Sequence, residues 1–226
     1  MKSSAGRFGW VGAACLVVAL SWVATSARAD VCPIPERVSV NVRLLDPAPK
    51  VVVSSNLKQI NSKAQAHGLL KRGSMVLGLT QSEVGTSMNM RFRGQGIGTI
   101  TCISVDRIDA SFGHAKLEVQ LPKEYARGSC QYKTVLRHEM EHVRVNREGV
   151  RKYAQILKYA LEKAANHFNP RQTASMESGQ DAAKRILQKT VQGVVASFNK
   201  DVNAQHALID KPGGPYDANG ACREWK

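Results

Sequence analysis

The chain contains no internal repeat and no low-complexity tract in its 226 residues, which excludes a repeat array or a disordered polar segment as its plan. Its five cysteines include no closely spaced pair, which argues against thiolate zinc ligands and for disulfides. It is short of acid, with 18 Asp and Glu against 32 Lys and Arg, a net +14. Long-range attraction therefore runs toward anionic partners. No nucleic-acid recognition motif accompanies the charge, and the N-terminus argues for export, so nucleic acid is not among the expected partners. The apolar run from Trp10 to Val23 falls short of the roughly 20 residues of a comfortable membrane span.

That run belongs to a leader. Basic Lys2 and Arg7 precede it, and the small-residue site Ala27-Arg28-Ala29 follows, the order of a cleavable secretory signal over residues 1–29. Cys15 lies inside the run with five apolar residues after it and no Leu three positions before it, which argues against a lipid anchor. The expected location is periplasmic or secreted, with no integral membrane span after processing. Removal of three basic residues with the leader leaves 29 basic and 18 acidic residues, a net +11. Anionic cell-surface polymers are candidate partners for that charge. The remaining 197 residues suit a single domain over 30–226. Four cysteines stay with it, Cys32, Cys102, Cys130 and Cys222, an even number in an oxidising compartment.

From Val31 to Leu121 apolar residues recur mostly with period two, the mark of half-buried strands. Val38, Val40, Val42 and Leu44 form one strand, and Met88, Met90 and Phe92 a second. Gly94-Gln95-Gly96 is read as the turn into a strand over 97–105, and a turn-rich 106–113 precedes a last strand with Ala115, Leu117, Val119 and Leu121 inward. One short helix over 55–67 carries Leu57, Ile60 and Ala64 on one face, with Ser54 or Ser55 as its cap and Gly68 as its stop. After Gly128 the period becomes helical, from Leu136 to Phe168 and, beyond Asn169-Pro170, from Ala183 to Val202. The fold class expected is α+β: an N-terminal antiparallel or mixed sheet with one short helix, then a long antiparallel helical hairpin (130–208) and an extended tail (209–226). A hairpin of that length returns the end of the second helix to the level of Tyr132. The tail then brings Cys222 to Cys130 and leaves Cys32 for Cys102.

The chemistry concentrates in His138-Glu139-Met140-Glu141-His142, an HExxH motif on the first long helix. Residues four apart lie one turn apart on one face, about 6 Å along the axis, so the two imidazoles can share an ion. The motif predicts zinc, with His138 and His142 as ligands and Glu139 as the general base that takes a proton from the attacking water. The stripe Leu136, Met140 and Val143 is expected to pack while the histidine face meets a cleft.

A third protein ligand is needed. Glu148, six residues after His142, is the nearest downstream acid, but on an unbroken helix it points about 120° away and about 9 Å further along. A kink at Gly149 would turn it back; otherwise it pairs on the surface with Lys152. Glu162 is the rival and requires the chain to reverse near Gly149. Asn146 shares the histidine face as a supporting residue. His114 reads as an exposed strand histidine with ligand or oxyanion-donor capacity, and His167 as a helix C-cap. Tyr125, Tyr132, Tyr153, Tyr159 and Tyr216 are oxyanion candidates by type alone.

Leu136-Arg137-His138-Glu139-Met140-Glu141-His142 with Glu148 downstream, behind a leader and a strand-rich first half, resembles the predicted secreted zinc-dependent proteases of bacteria, a zincin-type family. The resemblance implies zinc on His138 and His142, Glu139 as base, and a peptide or protein substrate in the envelope. Zincins place a sheet and a supporting helix before the active-site helix, and the elements here come in that order. The expectation is thus an exported zinc metallopeptidase. The alternative is a disulfide-bonded, non-catalytic envelope protein whose helical hairpin binds a partner or an anionic surface.

Overall fold

Alternation puts Val38 and Val40 inside and Ser39 and Asn41 outside, and β1 (Ser39–Leu45) forms there. β2 (Lys50–Val52) follows, then α1 (Leu57–Ala66). The structure is a computed structural model and describes residues 32–33, 36–70, 75–218, 220–223 and 225. The leader expected over 1–29 lies outside them. The cap of α1 is Asn56 rather than a serine: Asn56 Oδ1 accepts from the Gln59 amide and Gln59 Oε1 accepts from the Asn56 amide. This reciprocal pair satisfies two donors where a lone serine would satisfy one.

The two longest strands form one hairpin. β3 (Leu79–Ile97) and β4 (Ile100–Gln120) run antiparallel along their whole length and turn at Gly98-Thr99, where Gly98 has φ 57°. The turn expected at Gly94-Gln95-Gly96 is instead strand, since Gln95 lies opposite Cys102 in register. A side chain at Gly94 would collide with Met176, so this glycine serves close packing. The turn-rich stretch 106–113 is strand too. Asp106 is held by Arg91 at 2.6 Å and Arg93 at 2.8 Å, and bulges at Glu83/Val84 and Arg91/Phe92 absorb the curvature.

With β3 occupying one edge of β4, the other edge is shared end to end by β5 (Arg171–Thr173, antiparallel), β1 (parallel) and β2 (parallel). Between β5 and β1 the side chain of Asn169 takes the place of a strand residue, accepting from the Val105 amide at 2.7 Å and donating to its carbonyl at 2.6 Å. Nothing in the sequence periodicity announces β5, a three-residue strand.

α2 (Cys130–Phe168) is one unbroken helix of 39 residues, capped by Ser129, and α3 (Met176–Ile209) follows, capped by Ser175. α2 packs on the sheet and against α3. Residues early in α2 meet residues late in α3: His142 meets His206, and Tyr153 meets Ser197 and Asp201. Phe112 of β4 and Phe198 of α3 meet edge to face at 5.5 Å beside buried Val150, Leu157 and Leu187. Burial of such side chains contributes roughly 1.5–3 kcal/mol each and drives helix against sheet. Gly149 does not kink α2. A Cβ there would lie 2.7 Å from Val202 and 3.0 Å from Phe198, so the glycine lets α3 approach. Both disulfides pair as expected: Cys32–Cys102 ties the N-terminal segment to β4, and Cys130–Cys222 ties the tail to the first turn of α2. Two disulfides suggest an oxidising, extracytoplasmic location. Among the described residues no helix is long and apolar enough to cross a membrane.

Candidate metal centre

His138 and His142 stand one turn apart on α2 with their Nε2 atoms 3.2 Å apart. A carboxylate completes a triangle with them: Asp210 Oδ1 lies 3.1 Å from His142 Nε2 and 3.3 Å from His138 Nε2. A tetrahedral zinc with bonds of about 2.0–2.1 Å has ligand-to-ligand edges of about 3.3–3.4 Å, so these three atoms fit one face of its coordination sphere. The three residues form the one group of this kind among the described residues.

The remaining ring nitrogens are fixed from behind. His138 Nδ1 is 2.8 Å from the Tyr216 carbonyl, which only accepts, so Nδ1 carries a proton and Nε2 is the nitrogen that faces Asp210 and His142; an ion bound there would take Nε2 as a bare lone pair. His142 Nδ1 is 2.9 Å from Nδ1 of His206. Asp210 is the C-cap of α3, its amide bonded to the His206 carbonyl at 3.0 Å. The negative end of a 34-residue helix therefore points at the triangle and favours a cation there.

The charges agree. Burial opposes ionisation of Asp210, but the two imidazoles outweigh it and hold the carboxyl well below the usual range. Burial alone would lower His138; its bonds to Asp210 and the Tyr216 carbonyl prevail and raise it to about 9. His206 is pushed down to about 4 by burial and by its neighbour His142.

Glu139 is buried behind the histidines. Its Oε2 accepts from the Thr80 hydroxyl at 2.7 Å, and a Cβ on Gly78 would come within 2.7 Å of its Oε1. Burial raises its pKa against the pull of the two histidines and Thr80. The site opens into a cleft of about 810 Å³ whose walls include Leu69, Met75, Leu77, Thr80 and Asn146. Asp210, at 58% side-chain exposure, lies on the solvent side.

The structure brings His138, Glu139 and His142 together and leaves Glu148 out. Glu148 projects from the outer face of α2 and pairs with Arg144 at 2.9 Å, because α2 continues straight through Gly149. Glu162 faces Lys158, a turn before it on α2, at 3.9 Å. Asn146 supports α2, donating to the His142 carbonyl at 2.9 Å and accepting from Ser82 at 3.3 Å. Of the expected stripe, Val143 is buried and Leu136 packs beside it, whereas Met140 is exposed; Glu139 and His142 are buried as well, because α2 is covered by both sheet and α3. His114 is fully buried rather than exposed, and none of the five tyrosines lines the cleft. His167 is in the last turn of α2.

Asp210 and His206 are absent from the sequence reading, though a signal existed. They are four apart at the end of the helix that the hairpin expectation returns to the start of α2. No protein-family model matches the chain, and the comparisons with curated proteins and with solved structures found no match.

Proposed function

We propose that the protein is an exported zinc-dependent hydrolase that cleaves a peptide bond in an envelope peptide or protein. The observation that carries this reading is the triangle of two Nε2 atoms and one carboxylate oxygen, with edges of 3.1, 3.2 and 3.3 Å, beside a buried glutamate. His138, His142 and Asp210 would hold the ion. Zinc, when bound, supplies Lewis-acid polarisation and a water that ionises near neutral pH. Glu139 takes the proton of the attacking water and returns it to the leaving amine. Its burial suits that work, since a carboxyl with a raised pKa gives the proton up less readily to bulk water and holds it for transfer. Thr80 fixes the orientation of the Glu139 carboxylate through the 2.7 Å bond to Oε2. Leu69, Met75 and Leu77 give one side of the cleft an apolar wall against which apolar substrate side chains can pack.

The reading is tested in two steps on purified chain without its leader. Metal analysis should return close to one zinc per chain. The Glu139→Gln protein should keep that zinc and its thermal stability, while zinc-dependent peptide hydrolysis falls at least about a hundredfold, the low end of a positioned base's contribution. Full retention of hydrolysis in Glu139→Gln would sink the mechanism. A chain that binds no zinc would support instead a non-catalytic envelope protein using its net positive surface.

A further inference from the structure

We infer that His206 is a positioning residue of the metal centre, whose ring accepts the Nδ1 proton of His142 and holds that imidazole in the tautomer that presents Nε2 to an ion. The inference rests on the zinc reading above and adds a residue to it. Two Nδ1 atoms 2.9 Å apart are bonded only if one carries a proton and the other does not. His142 Nε2 faces Asp210 at 3.1 Å and His138 at 3.2 Å. A metal can use that nitrogen only as a bare lone pair, which puts the proton on His142 Nδ1 and leaves His206 Nδ1 as the acceptor.

The same task is performed for His138 by the Tyr216 carbonyl at 2.8 Å, so both ligand rings are oriented from the C-terminal side of the chain. His206 is well placed for it. Its carbonyl accepts from the Asp210 amide at 3.0 Å, so the orienting ring and the carboxylate ligand sit on one helical turn and move together. The choice of a neutral ring has a consequence. A carboxylate behind His142 would make that ligand more basic and add negative charge, whereas an imidazole acceptor orients it without doing so. The ligand set then carries a single negative charge, from Asp210, and leaves the ion strongly electrophilic.

The test compares His206→Leu with His206→Asn, side chains of nearly equal size. Asn places Oδ1 where His carries Nδ1 and restores an acceptor; Leu does not. Zinc affinity by chelator competition should fall about ten- to a hundredfold in His206→Leu and recover most of the way in His206→Asn. In ¹⁵N spectra of the zinc-loaded proteins, the protonated Nδ1 of His142 should give a slowly exchanging signal in wild type and in His206→Asn, and lose that protection in His206→Leu. Equal zinc affinity in wild type and His206→Leu, or equal weakness in the Leu and Asn variants, would overturn the role of His206. A wild-type chain that binds no zinc would instead overturn the metal reading beneath it.

Discussion

Asp210 and Glu148 are the same kind of ligand group, and position alone separates them. Asp210 lies 3.1 Å from His142 Nε2, whereas Glu148 lies 2.9 Å from Arg144 on the far side of the helix. Asp210→Asn should therefore lose zinc as completely as His138→Ala, and Glu148→Gln should keep it, with stability changed by a few tenths of a kcal/mol as for exposed pairs generally. Zinc lost from Glu148→Gln and retained in Asp210→Asn would reverse the assignment. His114 poses a different question at the same scale. It is buried on β4, and neither ring nitrogen has a well-aligned partner among the described residues. Burial holds its pKa below 6.5, although the Asn146 backbone and Asp46 favour the proton. The unfolded chain takes up that proton as pH falls through about 6.5 while the folded chain does not, so stability declines below that pH until the folded ring itself titrates. His114→Leu should stabilise the protein by about 1 kcal/mol near pH 7, by removing stranded polar atoms, and by more near pH 5. Thermal melts at both pH values check it; an equal gain at both would show that His114 is not the titrating group.

At the scale of elements, the first long helix shows both how far sequence periodicity reaches and where it stops. The HExxH spacing on a helix places His138, Glu139 and His142 in the arrangement found, because four residues make nearly one turn whatever surrounds them. Which carboxylate joins the two histidines depends on what α2 packs against, and no local pattern encodes that. Gly149 is the turning point: as a kink it would favour Glu148, and as a contact it favours Asp210. The structure makes it a contact, with Val202 and Phe198 of α3 at 2.7 and 3.0 Å from where a Cβ would stand. Gly149→Val should therefore push α3 from α2 and cost roughly 1–3 kcal/mol by overpacking. It should also weaken zinc binding, since His206 and Asp210 ride on α3. Denaturant unfolding together with zinc titration reads both, and a destabilised variant with unchanged zinc affinity would show that the end of α3 is placed independently of its middle. Strands were legible by type more than by boundary. Period-two runs marked β1 and parts of β3 and β4, but glycines and Asp106 read as turns became strand interior, because β4 is paired on both edges and bulges carry the bends.

For the whole molecule the cysteines were the most informative sequence feature, since of the three pairings four of them allow, one helical hairpin favours the one that the structure has. The two bridges differ in what they hold. Cys32–Cys102 anchors the N-terminal segment to β4 next to β5. Cys130–Cys222 closes the tail onto the first turn of α2, and that tail carries the Tyr216 carbonyl that fixes His138 at 2.8 Å, shortly after Asp210 itself. Their sequence separations, 70 and 92 residues, are similar, and the entropic stabilisation, roughly 4–5 kcal/mol each, scales only with the logarithm of loop length. Removing either bridge should thus lower the melting temperature by comparable amounts. Zinc affinity should tell them apart. A Cys130→Ser/Cys222→Ser protein frees the tail, loses the acceptor for His138 Nδ1, and should bind zinc about ten- to a hundredfold more weakly at a temperature where it remains folded. A Cys32→Ser/Cys102→Ser protein keeps that acceptor and should bind zinc like wild type under the same conditions. Chelator competition on the two double variants decides the matter: equal weakening in both would mean that the bridges act on zinc only through global stability, and that the tail does not position His138.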